Sequence, residues 1–131
     1  MDELQKKYYE YQLLDQKIKQ LQEHIEKIDE QLIELLATIQ SISEFNELGE
    51  DKEILVPLSN GIFARGKLVK EDSFLVNVGA SVVVRKGAAD TRALLETQKT
   101  ELKEVRAKLL KNMEALISRA ADIEQAVSEN V

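Results

Sequence analysis

Apolar residues in the first third of the chain recur in alternating steps of three and four: Leu4, Lys7, Tyr11, Leu14, Ile18, Leu21, Ile25, Ile28, Leu32, Leu35, Ile39 and Ile42. Lys7 is the one polar member, and Glu, Gln, Lys and Asp fill the positions between. A 3.5-residue repeat sustained this far keeps one narrow seam turned toward a partner helix, the condition for a left-handed coiled coil. The pattern predicts a helix over residues 1–48, stopped by Gly49 as a C′ residue. A second seam reads Leu95, Gln98, Leu102, Val105, Leu109, Met113, Leu116, Ala120, Ile123 and Val127. It predicts a helix over 88–129, with Gly87 as N-cap and Asp90 at the positive end of the helix dipole. Two steps of four meet at Leu109, which predicts a stutter and local unwinding there.

All five glycines and the single proline, Pro57, fall between residues 49 and 87. In this stretch the period changes from 3.5 to 2. Apolar runs at 53–58 and 62–69 flank Ser59-Asn60-Gly61, and Asn-Gly between such runs is a strong hairpin signal, because a type I′ turn needs φ > 0 at both central residues. Phe74 to Val78 and Val82 to Val84, joined by Gly79-Ala80-Ser81, make a second pair. Phe74, Val76 and Val78 are expected on one face, as are Ile62, Ala64, Gly66 and Leu68. Pro57, which has no N–H to donate, is expected at an edge or bulge.

Two flanks of about 40 helical residues, roughly 60 Å each, cannot leave their stripes exposed, and the insert is long enough for the chain to reverse. The predicted fold is mainly α: one domain over 1–131 built as a long antiparallel two-helix coiled coil, with two β-hairpins at 53–85 inserted between the helices. Four short strands cannot bury an apolar face alone, and open edges invite pairing. The insert therefore reads as an assembly region, with Val56, Leu58, Ile62, Phe63, Phe74, Val76, Val78, Val82 and Val84 as its contact residues. Strands from other chains would close the sheet into a barrel.

Composition narrows the chemistry. Aromatic residues are 5% and charged residues 32% of the chain, which suits a thin seam rather than a thick core. Cysteine is absent, the net charge is -6, and His24 is the only histidine. Thiolate chemistry is excluded, phosphate-backbone binding lacks its clustered cations, and no cofactor or metal is expected. No apolar run approaches the roughly 20 residues needed to span a bilayer, and the N-terminus lacks the order of a signal peptide. A cytoplasmic protein is expected. Gly61 to Lys67 matches the first seven positions of a P-loop, but Leu68 stands where Ser or Thr should bind Mg²⁺, and a hairpin supplies no helix N-terminus. Carboxylates alternate with lysines along solvated faces, so no catalytic constellation is visible and no enzyme activity is expected.

The segments Leu55-Val56-Pro57-Leu58-Ser59-Asn60-Gly61-Ile62-Phe63 and Val76-Asn77-Val78-Gly79-Ala80-Ser81-Val82-Val83-Val84 resemble the hairpins of α-class prefoldin subunits. The order helix, two hairpins, helix extends that resemblance over essentially the whole chain. Ser81 departs from it, glycine being usual there. The resemblance implies an ATP-independent chaperone in which two α-class and four β-class subunits share a double β-barrel bearing six coiled coils. Their free ends hold unfolded client proteins and pass them to a group II chaperonin. The three tyrosines, Tyr8, Tyr9 and Tyr11, cluster near the end where both termini would lie. Rings with apolar bodies and polar tips suit adaptable client binding. The candidate client-binding residues are Leu4, Tyr8, Tyr11, Leu14, Ile123 and Val127, with Lys7 weakening the seam nearby. Ordinary seam packing, and a coiled-coil scaffold without chaperone function, are the competing readings.

Overall fold

The computed structural model describes residues 2–129. The elements follow in the order α1 (Glu3–Glu47), β1 (Glu53–Ser59), β2 (Ile62–Lys67), β3 (Ser73–Gly79), β4 (Val82–Gly87) and α2 (Ala88–Glu129). The chain divides into two compact units. One joins the residues up to Glu34 with those from Lys99 onward, and the other is Leu35–Gln98.

In the first unit α1 and α2 run antiparallel. Asp29 meets Arg106, and Glu10 meets Arg119, so partners rise along one helix as they fall along the other. The N-terminus of α1 is closed by a reciprocal box: the Gln5 N–H donates to the Asp2 carboxylate at 2.8 Å, and the Asp2 N–H donates to the Gln5 side-chain oxygen at 3.2 Å. Two of the orphan donors of the first turn are satisfied this way. Leu14, Ile25, Ile28 and Ile123 are buried, so the α1 seam stands where periodicity places it.

The α2 seam does not. Gln98 and Val105 are exposed, whereas Lys99 and Arg106 are partly covered. Leu95, Lys99, Leu102, Arg106, Leu109, Met113, Leu116, Ala120, Ile123 and Val127 are all shielded, and steps of four and three alternate along them without a break. There is no stutter at Leu109. A charged residue holds a seam position because its stem packs while its head finds a partner: the Arg106 Nε donates to Asp29 at 2.6 Å.

In the second unit each hairpin forms its own two-stranded sheet, and β2 does not pair with β3. The hairpins repeat each other at an interval of 20 residues. Glu53 pairs with Lys67 and Ser73 with Gly87, and every later pair keeps that offset. Both registers slip just before the turn, leaving Leu58 and Val78 as the extra residues of matching bulges. Pro57 adjoins the first bulge, where a missing N–H does least harm. Toward the turns the expected apolar faces open: the bulged Val78 and the turn-adjacent Ile62 are 51% and 60% exposed, while Phe74, Val76, Ala64 and Gly66 are partly covered and Leu68 is buried. One extra residue re-aims the strand end.

Both turns have positive φ at the two central residues, Asn60 and Gly61 in one, Ala80 and Ser81 in the other. The first pair suits that conformation and the second does not. Gly49 is not left-handed as a Schellman stop would require; Asp51 is, at φ 57. The Asp51 N–H donates to the Leu68 carbonyl and the Leu68 N–H to the Lys52 carbonyl, prolonging the first ladder. The Phe45 and Phe74 rings meet at 5.4 Å, tying the last turn of α1 to β3. Gly87 ends β4 and leads directly into α2, where the Thr91 hydroxyl donates to the Gly87 carbonyl at 2.8 Å.

Candidate functional site

Among the described residues, apolar side chains gather at a surface in each unit. Near the start of α1 and the end of α2, Tyr8 and Tyr11 meet Ile123, Glu124 and Val127 around an open cleft of about 240 Å³. Tyr8 and Tyr11 are three apart on α1, and Ile123 and Val127 four apart on α2, so each pair stands on one helix face. Tyr8 is 53% exposed and Ile123 only 3%, which makes Ile123 the floor and Tyr8 the wall. Four of the six residues expected to bind clients are thus gathered. Leu14 is buried in the helix pairing, and Leu4, although 38% exposed, does not line the cleft. Tyr9 is exposed and lies outside it.

Glu124 is the lining residue that periodicity could not nominate, because a carboxylate reads as part of a solvated face. It has no hydrogen-bond or ion-pair partner among the described residues. Arg119, five residues before it on α2, is engaged by Glu10 at 3.0 Å. Deeper in the same unit, Arg106 faces Asp29 through two contacts, at 2.6 and 3.5 Å. The hydrogen bond and then the charge of Asp29 raise the Arg106 pKa above its ordinary value. His24 borders a shallow groove with Lys17, Gln20, Leu21, Asn112, Ala115 and Leu116. Among the described residues no group of three or more His, Cys, Asp or Glu side chains is placed to hold a metal ion.

The second surface belongs to the hairpins. Of the nine residues expected to mediate assembly, Val56, Leu58, Ile62, Phe63, Val78 and Val82 are exposed, while Phe74, Val76 and Val84 are partly covered. Leu55, Leu75 and Val83 were not among the nine, yet they are 66%, 72% and 55% exposed. Their signal was the unbroken apolar run, which marks strands meant to be covered on both faces. Arg65 and Arg85 stand opposite Leu55 and Leu75 in the two registers and pair with Glu53 and Glu71 at 3.5 and 3.3 Å. Contiguous exposed apolar residues of this kind are the usual composition of a contact surface. Among the described residues, no helix is long and apolar enough to cross a membrane.

The comparisons with known proteins agree with this architecture. The family model described as prefoldin subunit matches residues 14–131. The prefoldin subunit alpha of Thermofilum pendens is 27% identical over 118 residues, covering 90% of this chain and 92% of that protein. The one from Methanococcus aeolicus is 27% identical over 130 residues, covering 99% and 88%. The fold is that of a chain in the cryo-EM structure of filamentous PFD from Methanocaldococcus jannaschii, with a TM-score of 0.80, 20% identity, and coverage of 89% of this chain and 97% of that one. With two paired helices, two hairpins between them and a family match over nearly its whole length, the chain belongs to the prefoldin family of chaperone subunits.

Proposed function

We propose that this chain is the α-class subunit of an ATP-independent holdase in the cytoplasm. It binds unfolded proteins at the cleft of Tyr8, Tyr11, Ile123 and Val127 and passes them to a group II chaperonin. The observation that carries this reading is the cleft itself, where Tyr8 stays 53% exposed and Tyr11 and Val127 are only partly covered above the buried Ile123, although the seam closes over Leu14 one turn further along α1. A scaffold that only spaces other proteins gains nothing from leaving them uncovered. Each side chain buried there contributes about 1.5–3 kcal/mol before ordering costs, too little for one cleft to hold a client. Several clefts on one assembly raise each other's effective concentration. The hairpins supply that assembly by pairing their open strands with β-class subunits, two α-class chains joining four β-class ones.

Deleting residues 1–11 and the segment after Ile123 is the test. The truncated chain, mixed with β-class subunits, is expected to reach the same number of subunits and to lose suppression of client aggregation. Undiminished suppression would place client binding elsewhere.

A further inference from the structure

The cleft is apolar on its floor and acidic at its lip. A helix C-terminus carries the negative end of the helix dipole and is stabilised by cations. At the end of α1 the chain supplies one, for the Lys70 ammonium donates to the Asn46 carbonyl at 3.5 Å. The end of α2 is built the opposite way. After Arg119 it carries Asp122, Glu124 and Glu129 and no lysine or arginine. Arg119 is engaged by Glu10. Across the cleft, Lys6 and Lys7 are matched in number by Asp2 and Glu3, and neither lysine lines the cleft. The uncompensated charge therefore gathers where Glu124 stands without a partner beside Ile123 and Val127. Such an arrangement opposes the stability of the helix that bears it, and departures of this kind concentrate at functional sites.

We infer that the cleft selects extended client segments in which a large apolar side chain lies next to a lysine or arginine. The apolar group enters between Tyr8, Tyr11, Ile123 and Val127 while the cation meets Glu124. This rests on the proposed role of the cleft in client binding and adds the charge preference to it. Charge complementarity of this sort acts through selection and encounter rate more than through raw affinity. It suits a holder that must release its client.

The test uses the assembled complex and three fluorescent extended peptides of equal length, alternating Leu or Phe with Lys, Ser or Glu. At low salt the Lys peptide is expected to bind about threefold or more tighter than the Ser peptide, as one exposed ion pair allows, and the Glu peptide weakest. Glu124→Gln should remove most of that preference, Glu124→Lys should reverse it, and raising the salt should flatten it. A preference for the Lys peptide that survives Glu124→Lys overturns the inference while leaving the cleft as a client site. Failure of all three peptides to bind overturns both. Loss of binding to the Lys and Ser peptides alike in Tyr11→Ser, with the assembly intact, upholds the cleft as their common seat.

Discussion

Single residues set the quality of the two turns. Asn60-Gly61 meets the demand for two left-handed residues at little cost, whereas Ala80 and Ser81 take φ of 49 and 60 with a Cβ in the way. Left-handed backbone costs a non-glycine residue on the order of 1 kcal/mol, part of which glycine returns through the greater freedom of its unfolded chain. Ser81→Gly should therefore stabilise the chain by about 0.5–1 kcal/mol, read as a higher denaturation midpoint at unchanged slope. An unchanged midpoint would mean that Ser81 is not held in that conformation. Glu124 shows the other residue-scale effect, a carboxylate near a helix C-terminus where the helix dipole disfavours it.

Elements follow from periodicity wherever apolar residues carry nearly all of the pattern. The α1 seam, both hairpins and the Asn60-Gly61 turn were legible, because a 3.5 repeat and turn chemistry are local properties of the chain. The α2 seam was legible only in part. Val105 reads as a member of it for being apolar and Arg106 as an outsider for being charged, and the predicted stutter at Leu109 follows from that exchange. The pairing of Arg106 with Asp29 joins residues 77 apart, which no local window contains. The hairpin repeat was hidden for a related reason: only Leu55/Leu75, Val56/Val76 and Arg65/Arg85 are identical at the 20-residue offset, and register reveals what identity does not. Substitution can check the reassigned seam. Ile28→Ala and Ile123→Ala remove buried side chains and should each cost about 2–4 kcal/mol. Val105→Ala, at a position 42% exposed, should stay within about 0.5 kcal/mol of wild type. A large loss at Val105 in thermal or chemical denaturation would restore the stutter.

At the scale of the molecule the two uncovered surfaces have separate duties under the proposed function. One binds clients weakly and the other multiplies that binding by joining subunits. Four of the residues lining the cleft were legible, Tyr8 and Tyr11 from aromatic clustering along the chain and Ile123 and Val127 from the seam repeat; its acidic lip was not, since charge acquires meaning only beside a floor. The most direct measurement pairs two variants in one experiment, reading assembly mass by light scattering and client aggregation by turbidity. Tyr8→Ser/Tyr11→Ser should keep the wild-type mass and lose most suppression. Leu55→Lys/Leu75→Lys should lower the mass and lose suppression with it. Full suppression by the tyrosine variant at full mass, or full suppression by dissociated subunits of the hairpin variant, would contradict the account.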